Sequence, residues 1–166
     1  MDQIRIPISL KKRDLPLVAI FATTYAVLVW SLAPISFYAL QFRIAGVLRP
    51  AIAKKWILAV GYAMGVVIAN LMSPFAGVYE LLFMPFMSFV AGVLGYLAAS
   101  RFNRNYFVTG IVIATVISLS VSWMLLQLFN LPMEITFPAL MFSEQLICFL
   151  GACIFKAIDR RYVWWT

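Results

Sequence analysis

Histidine is absent from the 166 residues, and charged types make up only 11% of them. Without histidine the commonest metal ligand and general base is missing, which argues against a zinc centre or a Ser-His nucleophile. No G-x-x-x-x-G-K stretch occurs, so the chain cannot hydrolyse nucleotide through a P-loop, and ATP-driven work requires a partner. Cysteine is limited to Cys148 and Cys153, five apart in one apolar run, a placement that reads as buried thiols. Acidic residues number 6 against 13 lysines and arginines, for a net charge of +7. Neither an internal repeat nor a low-complexity stretch is visible.

What is abundant is apolar: 64% of the residues are hydrophobic and the mean hydropathy is +0.98, outside the range of a soluble domain. The expected class is an all-α integral membrane protein, one membrane domain over 1–166 with no cofactor or metal. Apolar runs punctuated by proline predict six transmembrane helices, near 15–33, 42–53, 56–72, 81–100, 106–128 and 139–158, behind a cytoplasmic segment 1–14. Pro16 and Pro85 fall in first turns; Pro34, Pro74 and Pro132 mark ends and turns. The first run is too long for a signal peptide and no A-x-A site follows it, so it reads as a retained anchor.

With the N-terminus in the cytoplasm, 12 of the 13 basic residues fall at cytoplasmic helix ends: Arg5, Lys11, Lys12, Arg13, Arg49, Lys54, Lys55, Arg101, Arg104, Lys156, Arg160 and Arg161. Only Arg43 lies on the other side. That asymmetry sets the orientation, puts both termini inside, and accounts for the +7 without nucleic acid. The cell membrane is the expected location.

On this threading the polar residues within the spans share one depth. Arg43 starts the second helix, Asn70 ends the third, Glu80 starts the fourth, Gln127 ends the fifth, and Glu144 and Gln145 lie in the sixth. A charge near a helix centre costs about 2.5–3.5 kcal/mol on insertion scales, so Glu144 should face the bundle or a wet cavity. Arg43 is its expected counter-charge, either as a structural ion pair or as one wall of an outward-open pocket. Phe37, Tyr38, Phe42, Phe75, Tyr79 and Phe137 fall at the same level, completing the mixed lining of a small-molecule site. Small residues make a second pattern: Ala22 and Ala26 form an A-x-x-x-A face, and Gly61, Gly65 and Ala69, then Ala91, Gly95 and Ala99, repeat it. Such faces serve packing within a bundle or docking to a partner.

The stretches PISFYALQFRIAGVLRP (34–50), GVVIANLMSPFAGVYELLF (65–83) and FSEQLICFLGACIF (142–155) resemble the QueT family of queuosine-precursor transporters, substrate-binding (S) components of energy-coupling-factor transporters. The resemblance spans 33–155. It implies a six-helix protein that binds its solute from outside, docks a coupling transmembrane subunit through the first-helix face at Ala22 and Ala26, and is driven by ATPase subunits. It places Gln41, Arg43, Asn70, Glu80 and Glu144 in the pocket or its support. Departures stand beside it. Ile44-Ala45-Gly46-Val47 lacks the carboxylate the pattern carries near Gly46, Glu80 with Met84-Pro85 replaces aspartate and a glycine turn, and Ser143-Glu144 replaces Gly-Glu.

A deazaguanine offers a ring N–H and an amine on one edge, suited to a carboxylate such as Glu144, and flat rings that stack on aromatics. Glu80 would suit an aminomethyl cation, and Gln41 or Asn70 the ring carbonyl. Flavin or thiamine uptake is the alternative in the same class, and a structural or assembly subunit of a membrane complex the alternative in another. An enzyme is not expected, since no catalytic constellation can be placed.

Overall fold

Proline and the apolar runs divide the chain into helices with few residues between them. The computed structural model describes residues 12, 14–36 and 43–165. Helix α1 runs Asp14–Ser31, followed by the short turn of helix α2, Ala33–Ser36. A 3₁₀ segment covers Ile44–Ala53, and α3 covers Leu58–Asn70. A π turn, Tyr79–Phe83, leads into α4, Met84–Ser100; α5 is Tyr106–Phe129 and α6 is Met133–Asp159. Helical winding is present within each of the six expected stretches, the second of them as 3₁₀. Four stretches are long and apolar enough to cross a membrane: Asp14–Ser31, Tyr79–Ser100, Tyr106–Phe129 and Met133–Asp159. The 3₁₀ segment and α3 are shorter.

The departures from the expected boundaries trace to proline. Pro50 stands inside the second segment, where an α-helical ring would strike the Gly46 carbonyl and Arg49, preceding it, is disfavoured in α geometry. The stretch is wound as 3₁₀ instead, entered by Gly46 N–H donating to Arg43 O at 2.8 Å and left by Lys54 N–H donating to Ala51 O at 3.2 Å. At about 2.0 Å per residue its 10 residues rise about 20 Å, the same as the 13 residues of α3 at about 1.5 Å each. Pro85 likewise withholds a donor from the first turn of α4, and the turn before it widens, with Met84 N–H donating to Tyr79 O. Helix α6 begins six residues earlier than expected because Pro138 lies in its second turn, where only the Glu134 carbonyl loses its donor.

The elements form an arc in the order α1, α3, α4, α5, α6, each packed on the next, and the 3₁₀ segment runs up the middle and touches all five. No comparable α1–α6 joint closes the arc among the described residues. Glycine sets the closest approaches. A Cβ on Gly65 would sit 3.0 Å from the Ala22 carbonyl oxygen, and one on Gly151 would sit 2.8 Å from the Val47 carbonyl carbon, so α3 meets α1, and α6 meets the 3₁₀ segment, backbone to backbone.

Each end of the arc is tied by side chains. At one end Lys55 pairs with Asp14 at 2.7 Å, Lys54 pairs with Asp159 at 3.3 Å, and the Tyr106 hydroxyl donates to Asp159 at 2.5 Å. At the other, Trp30 Nε1 donates to Ala69 O at 3.2 Å and the Phe75 and Phe129 rings meet edge-on at 5.4 Å. Helices α1 and α3 therefore run parallel, α3 to α6 alternate in direction, and Lys54, Lys55, Arg101, Arg104, Lys156, Arg160 and Arg161 gather at the first, basic end. Arg49 does not join them. Its side chain is wholly buried within the arc, which removes it from the residues expected at the cytoplasmic surface.

Candidate solute-binding interior

The chemistry of the interior starts from the 3₁₀ winding. With three residues per turn, side chains at i and i+3 eclipse, so Arg49 lies directly over Gly46. A Cβ on Gly46 would come within 3.1 Å of the Arg49 guanidinium carbon and 3.0 Å of Ile147 Cγ2. Glycine at this position makes the room in which the guanidinium turns toward α6. There it takes the Glu144 carboxylate in a two-pronged ion pair, Nη1 on Oε2 and Nη2 3.4 Å from Oε1. Arg49 is 0% exposed and Glu144 3%. Burying either charge alone would be costly, and the fork-shaped geometry is what makes the pair tolerable. The expectation of a buried, interior-facing Glu144 holds; the arginine on it is Arg49, not Arg43. Arg43, also buried, sits at the entry of the 3₁₀ segment, six residues away.

Aromatic and hydroxyl groups surround this pair. The Arg49 guanidinium lies 5.3 Å from the Tyr62 ring centre, within cation–π range, and Tyr62 meets Tyr25 edge-on at 5.3 Å. Cys148, one turn along α6 from Glu144, points its sulfur at the Gly46 carbonyl at 3.9 Å. Tyr25 OH, Ser88 Oγ and Arg49 Nε are buried with no hydrogen-bond partner among the described residues. Further along α5, Ser118 Oγ and Ser122 Oγ share that condition.

A second polar group lies at the end opposite the basic one. Asn70, at the last position of α3, donates from Nδ2 to the Glu80 carbonyl at 2.7 Å. Glu80 occupies the π turn, whose wider winding carries its side chain into the bundle; such turns are frequent at functional sites. Asn70 Oδ1 and Glu80 Oε2 are buried acceptors with no donor among the described residues. Beside them Tyr79, Phe83 and Trp123 cluster, with Phe83 and Trp123 centred 4.9 Å apart and Tyr79 and Trp123 5.9 Å apart. The sequence-predicted residues thus separate into an end group, Asn70 and Glu80 with Arg43 at the 3₁₀ entry, and a deeper one around Glu144. Gln41 and the aromatics Phe37, Tyr38 and Phe42 lie outside the described residues. Gln145 turns to α5, where its amide donates to Ile111 O at 3.3 Å.

Ala22 and Ala26 are each 2% exposed and face inward, Ala22 against Gly65. The A-x-x-x-A face is occupied by an internal joint, and its side chains are not presented to a partner. Sequence reasoning missed Arg49, Tyr25, Tyr62 and Ser88. The signal for Arg49 was present: Pro50-Ala51-Ile52-Ala53 separates it from the Lys54-Lys55 pair by more than a 3₁₀ turn, too far to share their surface.

An apolar helical arc with charged and hydroxyl groups turned inward is the architecture of a membrane protein. The chain belongs to the QueT transporter family, whose family model matches residues 15–160. No curated protein and no solved structure matches it.

Proposed function

We propose that this transporter is the substrate-binding S subunit for uptake of a purine-like solute of the 7-deazaguanine type, a queuosine or archaeosine precursor. In this reading it is a single membrane domain in the cell membrane, crosses it six times with both termini inside, and is energised by ATPase subunits through a coupling transmembrane subunit. The family assignment supports transport. The observation that carries the solute class is the pair of buried acceptors, Asn70 Oδ1 and Glu80 Oε2, beside the Tyr79, Phe83 and Trp123 rings. A 2-amino-oxo-purine edge supplies parallel N–H donors that one carboxylate accepts, and a flat base adds stacking.

Because Glu144 is engaged by Arg49, Glu80 takes over the role of base-edge acceptor, with Arg43 at the same end, and Gln41 keeps the role toward the ring carbonyl that the sequence gives it. Glu144 fixes the interior against which that end is built. The second reading, a structural subunit held by interhelical ion pairs, draws on the same Arg49–Glu144 pair. Titration of the purified protein with 7-deazaguanine bases, with riboflavin and thiamine alongside, separates them. Saturable binding of the deazaguanine that is lost in Glu80→Gln supports uptake of this class. Saturation by riboflavin or thiamine instead overturns the solute class, and no binding of any of the three by folded protein favours the structural reading.

A further inference from the structure

The basic end carries a cleft that the solute-binding reading does not use. It has a volume of about 290 Å³ and is lined by Lys54, Phe102, Asn103, Arg104, Tyr106, Lys156 and Asp159, with Asn105 completing the wall. Three cations face one carboxylate. That carboxylate is paired with Lys54 at 3.3 Å and accepts from the Tyr106 hydroxyl at 2.5 Å, so the cleft keeps the positive charge of Arg104 and Lys156 for an incoming group. The cations are held in place. Lys54 lies 4.8 Å above the Tyr106 ring and 4.4 Å above that of Trp165, Lys156 lies 5.4 Å above Phe107, and Arg104 donates to the Lys54 carbonyl at 3.2 Å. Asn103 and Arg104 both adopt left-handed backbone, at φ 52° and 53°. For an arginine that costs about 1 kcal/mol or more, so the loop is held by its surroundings rather than by its own preference.

We infer that this cleft binds the phosphate of an anionic phospholipid headgroup, of the phosphoglycerol kind. It lies where α4 ends and α5 begins, both of them helices long and apolar enough to cross a bilayer, and so at the depth of lipid headgroups. Phe102, 61% exposed on its rim, offers an apolar contact to the base of an acyl chain. Lys54, Arg104 and Lys156 hold the phosphate oxygens, and Asp159 Oδ1, a buried acceptor with no partner among the described residues, accepts from a headgroup hydroxyl. The volume suits a headgroup and not a polypeptide segment. The inference does not depend on which solute is carried.

The test is native mass spectrometry of the full chain in mild detergent, titrated with phosphatidylglycerol, phosphatidylcholine or sodium phosphate. The Lys156→Gln/Arg104→Gln variant should retain phosphatidylglycerol on the order of tenfold more weakly. A control that removes the same charge outside the cleft, Arg101→Gln/Arg160→Gln, should retain it as the native chain does. Lys156→Gln alone breaks no hydrogen bond and gives the same direction if the double variant misfolds. Equal loss in cleft and control variants overturns the site in favour of diffuse surface attraction. Retention of phosphatidylcholine as strong as that of phosphatidylglycerol, or displacement of the lipid by sodium phosphate, overturns the assignment to an anionic lipid.

Discussion

Removing the Arg49 side chain while leaving Glu144 in place tests the interior most directly. In Arg49→Leu the carboxylate keeps its burial, 3% exposed, and loses both prongs of its ion pair. Breaking one partner out of a buried pair costs about 3–5 kcal/mol, because the remaining charge is left uncompensated. For a chain of this size that corresponds to a drop of roughly 6–20 °C in Tm. The double variant Arg49→Leu/Glu144→Leu leaves no charge behind and fills similar volume with apolar groups, a replacement that is often neutral or stabilising. It should recover most of the loss. Thermal unfolding of the three proteins in one detergent, followed by circular dichroism, reads both differences. A native-like Tm in Arg49→Leu, or a double variant as unstable as the single one, refutes the reasoning that this pair is isolated from water and dominates the local energetics.

Gly151→Ala drives a methyl group into the Val47 backbone and should cost about 1–3 kcal/mol of stability, read as a lower Tm. Gly46→Ala crowds the Arg49 guanidinium and Ile147, and its loss should be smaller in an Arg49→Leu/Glu144→Leu background than in the native chain, a comparison made with a double-mutant cycle. Glu80→Gln should leave Tm nearly unchanged and weaken deazaguanine binding by about tenfold or more, measured by titration. Ala22→Leu should destabilise the isolated protein, since Ala22 is buried where α1 packs closely on α3 and the added atoms have no room; an unchanged Tm together with lost partner association would restore the docking role.

The helices were legible because their signals are local and redundant. Apolar runs, proline punctuation and basic ends each point to the same boundaries, and most of the expected stretches end within a few residues of a helix. The winding of the second segment was less accessible, since Pro50 excludes an α-helix without stating what replaces it. Which arginine meets Glu144 depends on that winding. In α geometry Arg49 and Gly46 would be offset, whereas the three-residue turn stacks them and opens the path to α6. Residue spacing along the chain favoured Arg43 because it lay at a helix start, and only the packing of α6 on the 3₁₀ segment shows the deeper partner. That Asn70 and Glu80 meet was legible from sequence because residues on either side of one short loop are neighbours in almost any antiparallel pairing. The fate of Ala22 and Ala26 was not readable, because a small-residue face looks alike whether its mate is in the same chain or another.

The two thiols give the chain a built-in reporter. Cys153 is exposed on α6 while Cys148 is sealed where α6 rests on the 3₁₀ segment, its sulfur against the Gly46 carbonyl. In detergent, a small maleimide therefore reaches the first directly and the second only when that joint parts. The lag between the two modifications times, without any engineered label, how often the central strut of the arc lets go of its neighbour.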